Sequence, residues 1–448
     1  MKFFCLKTIL LIVIVFINSC RKSEYTVDNK SFVRDNGSGT GTITWTNDKI
    51  WILDGFVFVN DGQTLTIEAG TVIKGRTGQA ENASALIVAR GGRIIAEGTP
   101  DAPIIFTVEG DDLKGSVPVK AKGLWGGLII LGNARLNTRE GEGNIEGIPL
   151  TEPRGIYGGN YDEDNSGILR YVSIRHGGTS ISEGNEINGL TLGGVGNQTI
   201  IDYVEVIANK DDGFEFFGGS VNCRYLISAF CGDDAFDFDL GYHGKGQFWV
   251  AFQEEGDGNS TAEHNGGSIP VTGTPHTKPM IYNATFIGNR ETSDHALIKF
   301  SRNGAGKYFN SIFINENNGV NIENSAGQID SYYQWQSENI VFKNNIFYNV
   351  EDDVIDSIFQ VVNTNGSVNN ELQSNIKGYF LEANNEIRNP GIAIGDESYD
   401  LIPSSEIHEN LHPLTDEWFN DVDYKGAFGT VNWARQWTLL DKEGYFSD

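Results

Sequence analysis

The sequence predicts an all-β chain wound into a single right-handed parallel β-helix, and three observations lead there. The first is the apolar pattern. No segment sustains a 3.6-residue period; short β-branched runs such as TLTIEAGTVIKG, ALIVARGGRIIAEG, PIIFTVEG and LWGGLIILGNARL sit between Gly, Asn and Asp, the grammar of strands joined by close turns. The second is a recurring phrase in which an aromatic residue leads an alternating strand and an Asn/Asp turn follows, as in RYVSIRHGG from Arg170, DYVEVIANKDDGFEF from Asp202 and RYLISAFCGDDAFDF from Arg224. The leading aromatics step by 22 residues from Tyr203 to Tyr225 and by 26 from Tyr282 to Tyr308. The third is one acidic phrase written twice, KDDGFEFFGG at Lys210–Gly219 and GDDAFDFDLG at Gly232–Gly241, with Asp211 and Asp233, Phe214 and Phe236, and Phe216 and Phe238 each 22 residues apart.

A period in the twenties made of strands and turns is a solenoid, on the order of ten to thirteen rungs long here. A β-sandwich would show hairpins with two-residue NG or DG loops, and a propeller would keep a stricter period. Two long inserts interrupt the coil, at residues 135–167 and 254–279; connections of that length are functional or mobile more often than plain. Hydrophobic early strands and the tail bearing Trp433 and Trp437 are expected to seal the two ends, because open solenoid edges aggregate.

The first nineteen residues are not fold. Lys2 and Lys7 flank the apolar run Ile9–Ile17, too short to remain in a bilayer as a spanning helix. The run ends in INSC, which reads as a lipoprotein signal: cleavage before Cys20, whose thiol takes diacylglycerol, with palmitate-type acylation. An ordinary secretory signal is the alternative. Residues 20–41 then form a tether and 42–448 a single domain, lipid-anchored at the outer membrane on its periplasmic or outer face. Of four cysteines, Cys5 leaves with the signal, so Cys223 and Cys231 remain, either as a disulfide across a bend or as two buried thiols. A formal charge of −27 repels nucleic acid and anionic headgroups and favours cations or neutral ligands.

The segments GQTLTIEAGTVIKG, GGRIIAEGTPDAPIIFT, GLWGGLIILGNA, IRHGG, NEINGLTLGGVG, DDGFEFFGG and GKGQFW, closing with GAFGTVNWARQWTLLD at Gly426–Asp441, resemble a family of β-helical lipoproteins and secreted proteins of the Bacteroidota, grouped loosely with the pectin-lyase-like superfamily. The resemblance runs from about Thr42 to Asp441. It implies the fold and a cell-envelope setting, and it implies no particular activity.

Chemistry concentrates in the twin phrases. If they stack on successive rungs, Glu215 lies on Asp237 and Asp211–Asp212 on Asp233–Asp234, with Phe214 and Phe216 inward and Glu215 outward. Like charges about 5 Å apart repel, so a cation, an arginine or a raised pKa is expected, and Ca²⁺ suits an all-oxygen set. The bland reading makes each Asp pair a turn that caps backbone amides. The catalytic reading uses Asp211, Asp212, Asp233 and Asp234 as acid and base, with His243; DD, GYHGKG and ALIKF are loosely similar to polygalacturonase motifs, with Tyr242 breaking the GHG and Leu297 in place of the arginine. A lyase would need Ca²⁺ and a base, for which Arg175 and Arg224 are on offer. YDEDNSG sets Asp162, Asp164 and Ser166 at positions 1, 3 and 5 of a Ca²⁺ loop that lacks its twelfth-position Glu. HENLH at His408–His412 matches a zinc motif, but Pro413 would cut its helix short. Tyr242, Trp249 and the loop residue His264 are candidate contacts for sugar rings.

These readings give a non-catalytic envelope lipoprotein with a Ca²⁺-stabilised β-helix that binds an extended ligand, a glycan foremost, along its flank. A polysaccharide lyase or glycoside hydrolase on the same scaffold is the alternative, and a structural or adhesive envelope protein the third.

Overall fold

The structure is a computed structural model that describes residues 29–446 apart from 80–81, 183–184, 254–257, 268–269, 291–294, 326, 396–397 and 404–406. The apolar run and Cys20 lie outside the described residues. Within them the chain is a right-handed parallel β-helix. Ten strands, from Phe56–Val59 to Phe359–Asn363, stack in one parallel sheet. The other long sheet, of eighteen strands, folds over a corner into two faces. The nine-residue strand Gly167–Arg175 shows how: its first half pairs with Arg93–Glu97 and its second half with Ile104–Val108.

One left-handed residue makes that corner on each turn. Tyr171, Tyr203, Tyr225, Phe248, Asn283, Asn310 and Asn344 take φ between 50° and 61° on seven successive turns. Asparagine tolerates this conformation; an aromatic does so at a cost, offset here by stacking at 4.4, 4.2 and 4.8 Å between neighbouring rings. This ladder is what the recurring aromatic phrase encodes. The 26-residue step is corrected, however: Tyr282 pairs with Phe309, not Tyr308, so the corner repeats from Asn283 to Asn310, 27 residues on.

The core is filled by the inward residues of all three faces. Phe214 stacks on Phe236 at 5.2 Å and Phe216 on Phe238 at 5.3 Å, with Trp249 parallel to Phe236 at 4.8 Å. Trp249 and Tyr242 are fully buried, Trp249 Nε1 donating to the Cys223 carbonyl and the Tyr242 hydroxyl to that of Val221. Neither can meet a sugar, which corrects that expectation. Cys223 and Cys231 are buried free thiols, so no disulfide joins them. An extended strand, Asn222–Ala229, separates them at about 3.3 Å per residue, beyond disulfide reach.

The inserts behave differently from each other. The first folds over the outer side of the ten-stranded sheet: an antiparallel ribbon pairs Glu142–Asn144 with Ile156–Gly158, and Ile145, Ile148 and Tyr157 bury Ile87, Ile129 and Phe217 beneath it. The second contains a regular rung. Its strand Ala262–Asn265 pairs with Ile298–Ser301, so His264 is no loop histidine. It is fully buried in the column Phe216, Phe238, His264, Phe300, 4.4 Å from the Phe300 ring and with Nε2 2.7 Å from the Tyr308 hydroxyl. Burial depresses its pKa to about 3.

The ends are closed as follows. Trp45 and Trp51 stack at 5.0 Å on the first turns, and Lys30–Val33, read as tether, is already a strand paired with Ile50–Leu53. The far end is covered by Ile376 and Phe380 from the short helices Asn370–Ile376 and Tyr379–Glu382. Trp433 and Trp437 seal no end. They lie along the flank, edge-on to Tyr225 at 5.2 Å and to Tyr171 at 5.7 Å, in a tail that runs back over the corner ladder. There Asn283 Nδ2 donates to the Tyr424 carbonyl, Asn344 Nδ2 to that of Asn410, and Asn310 both donates to the His412 carbonyl and accepts its N–H.

Candidate functional site

The twin phrases stack in register: Phe214 pairs with Phe236, Glu215 with Asp237, Phe216 with Phe238 and Phe217 with Asp239. Strand alternation sends the phenylalanines inward and Glu215 and Asp237 outward. The outward row continues through Glu263, Lys299 and Asn321. Glu215 is nevertheless buried, because the first insert lies over it. Asn188 Nδ2 donates to Glu146 Oε1 of that insert at 2.7 Å and also to Glu215 Oε2, and the two carboxyl groups are within hydrogen-bond reach of each other.

At the turn before these strands the aspartates do two jobs. Asn188 Oδ1 accepts the Asp212 N–H at 3.2 Å, Asp212 Oδ1 the Asp234 N–H at 2.8 Å, and Asp234 Oδ1 the Ser260 N–H at 2.6 Å. Each side chain thus caps the backbone of the next turn, as Asn and Asp do in tight turns. Capping uses one oxygen of Asp212 and one of Asp234; beside these caps, two triads, Asp211–Asp212–Asp233 and Asp212–Glu215–Asp237, have ligand atoms within 4.8 Å of one another, Asp234 belonging to neither.

Compensation is thin. Lys299 Nζ bonds Glu263 Oε2 at 3.0 Å, and Ser301 Oγ bonds the other oxygen at 3.3 Å, so Glu263 is satisfied. Asp237 Oδ1 is sealed from solvent and has no hydrogen-bond partner. Burial first, and then neighbouring carboxylates, push Asp212, Glu215, Asp234 and Asp237 well above the ordinary carboxylate range. The same causes raise Asp211 to about 7, and burial raises Asp239 to about 6. A set of crowded, hard oxygen donors with an orphaned acceptor fits an oxygen-loving divalent cation such as Ca²⁺.

The remaining candidates are elsewhere. Asp162 and Asp164 belong to neither triad. Asp162 accepts Arg135 Nε at 2.8 Å, and although burial opposes it, that guanidinium holds its carboxyl below the usual range. Asp164 takes the Asn133 amide and the Ser166 hydroxyl. His243 faces Asp162 at 3.5 Å and the Gly241 carbonyl at 2.9 Å, so it joins no aspartate of the column. Arg175 is buried beside Ser173 and Glu205, under the tail, and Arg224 stacks on Trp418 at 4.1 Å; neither is placed as a base for the column. HENLH forms no helix. His408 Nδ1 lies 2.8 Å from the Asp423 carbonyl while His412 stacks on Phe309.

Sequence reasoning missed Glu146, Asn188, Glu263, Lys299 and Asn321. The alternation of AEHN and LIKF carried a signal for Glu263 and Lys299, because their apolar partners His264, Ile298 and Phe300 continue the core column. Nothing local could bring Glu146 over Glu215. Beside the column, Asn259, His295, Lys299, Asn321, Glu323 and Asn363 line a polar hollow of about 180 Å³, in which Asn321 Oδ1 is sealed and lacks a partner.

A family model described as a pectate-lyase like beta helix domain matches residues 37–385. No curated protein and no solved structure matches the chain.

Proposed function

The chain belongs to the pectate-lyase-like β-helix family, and on that scaffold we propose a non-catalytic envelope lipoprotein, anchored at the outer membrane through Cys20, that holds a divalent cation in its acidic column and lays an extended glycan along the adjoining flank. The observation that carries the cation is the buried, partnerless Oδ1 of Asp237 inside a triad of carboxylates. When bound, the ion would supply positive charge and open coordination positions for ligand hydroxyl or carboxylate oxygens. Asp212, Glu215 and Asp237 would hold it, with Glu146 fastening the insert above.

The glycan reading draws on the polar hollow around Lys299 and Asn321, whose amides and charged groups suit a hydroxyl-rich unit. Lys299 speaks against a lyase on this flank: Glu263 raises its pKa, burial opposing, so it stays protonated and serves poorly as a base. Asp211, near neutrality, is the group a hydrolase would use, and the test therefore scores cleavage as well as binding.

The mature chain with Cys20→Ser, stripped of metal and resupplied with Ca²⁺, is offered a panel of polysaccharides. Retention that needs Ca²⁺ and is lost in Lys299→Ala, without new chain ends, is the expected result. New chain ends that vanish in Asp211→Asn would replace this reading with the hydrolase. Neither retention nor cleavage would leave a structural or adhesive protein.

A further inference from the structure

The tail covers only part of the sheet face it docks on. One outward row of that face runs Ile50, Val72, Ile105, Ser173, Glu205, Ile227, one residue per turn. At Glu205 the short helix Leu439–Lys442 sits down, Leu439 N–H donating to both carboxylate oxygens at 2.9 Å, and Ile227 packs into the same cluster as Trp437 and Leu440. The cover ends at Lys442, whose Nζ donates to the Leu113 carbonyl. Leu113 is also a wall of the next feature along the face, an open groove of about 800 Å³ floored by the half-buried Ile50, Val72 and Ile105. Among the described residues, an apolar face that the chain's own tail buries on later turns is thus left open on the first ones.

Its rim is cationic on a protein of formal charge −27. Lys49 and Lys114 line the groove, and Lys30 stands in register beside Ile50. Lys74 also lines it, with Nζ turned to the Asp111 carbonyl. Two acids share the rim, Asp101 and Asp112; the N–H groups of Lys114 and Ser116 hold the Asp112 carboxyl below the usual range, so it stays ionised, and the four lysines outnumber the two acids. We propose that this groove binds a single-chain anionic amphiphile, an acyl chain lying on Ile50, Val72 and Ile105 with its carboxylate or phosphate headgroup at Lys49 and Lys114. An apolar trough with ammonium groups at its mouth matches both ends of such a molecule, and the open groove is continuous with a face already used for apolar docking. This site lies on a different face from the acidic column and does not depend on it.

The test is calorimetric titration of the mature Cys20→Ser chain, below micellar concentrations, with dodecanoate, octanoate, dodecyl phosphate, dodecyltrimethylammonium and a short acidic peptide rich in leucine. Dodecanoate and dodecyl phosphate should bind, dodecanoate at least tenfold tighter than octanoate, because each buried methylene adds to the affinity. Lys49→Glu with Lys114→Glu should weaken dodecanoate at least tenfold while the melting temperature stays put. Equal binding of the cationic amphiphile, no binding of dodecanoate, or an unaltered affinity in the double variant would each overturn the proposal. Binding of the peptide alone would make the groove a polypeptide-docking surface instead.

Discussion

Glu205 and Asp237 invite comparison. Both are carboxylates at outward strand positions of the same coil, and an excursion of the chain lies on each row: the C-terminal tail on Glu205 itself, the first insert on Glu215, the strand neighbour of Asp237. Around Glu205 the accounts balance. Leu439 and Leu440 N–H groups and the Ser173 hydroxyl all donate to it; burial raises its pKa, and the Arg175 guanidinium and these donors all act against that rise. Asp237 has like charges for neighbours and an oxygen that nothing meets. Burial alone therefore does not mark a functional carboxylate. A satisfied one is a joint in the structure; an unsatisfied one, among others of its sign, is where a cation or a proton would be most favoured.

Mutation should separate the two cases most sharply at Glu205. Glu205→Ala removes the foremost anion acting on the buried Arg175 and strips the first turn of the terminal helix of its acceptor. It should cost about 3–5 kcal/mol and free the tail, read as a lower denaturation midpoint and new proteolytic cuts after residue 430. Asp237→Asn should act in the opposite direction. In chelator it removes one of several crowded charges and should stabilise by about 1–2 kcal/mol, and Ca²⁺ should raise the melting temperature of the unaltered chain but not of this variant. A destabilised Asp237→Asn protein that still responds to Ca²⁺ would erase the contrast.

The pH dependence sharpens it further. Asp211 and Asp239 titrate at about 7 and about 6 when folded, above the ordinary aspartate value of about 3.9 in an unfolded chain. Their raised values make the protonated forms the favoured ones, so this contribution is complete below about pH 4 and is lost as pH rises through 7. The metal-free protein should melt higher at pH 5 than at pH 8, and saturating Ca²⁺ should shrink that difference by supplying the charge at high pH. The smallest effect belongs to Asp162. Its pairing with the half-exposed Arg135 is a surface ion pair, so Asp162→Asn should change stability by under about 1 kcal/mol and leave Ca²⁺ affinity unaltered in titration calorimetry.

Much of this was legible along the chain. The 22-residue recurrence of DD-x-F-x-F specified the register of Glu215 on Asp237, and the inward phenylalanines followed from alternation alone. His264 shows the limit of local reading: flanked by glycine- and threonine-rich loops it looked like a solvated residue, and only pairing of Ala262–Asn265 with the next turn puts it in the phenylalanine column. Trp249 misled for a related reason, since an aromatic in a strand gives no local sign of which way it points when the residues on both faces are apolar; Tyr242, just ahead of that strand, looked exposed and instead turns inward to the Val221 carbonyl.

The sequence by itself determined the coil, its period, and the assembly of six carboxylates into one column, because a solenoid turns sequence period into spatial adjacency. Tertiary structure alone decided what covers each face. Whether Glu205 meets Leu439, whether Glu146 closes over Glu215, and where the tail stops short of Ile50 depend on contacts between segments up to 329 residues apart. No repeat encodes those contacts, and they decide which buried charges are satisfied and which are not.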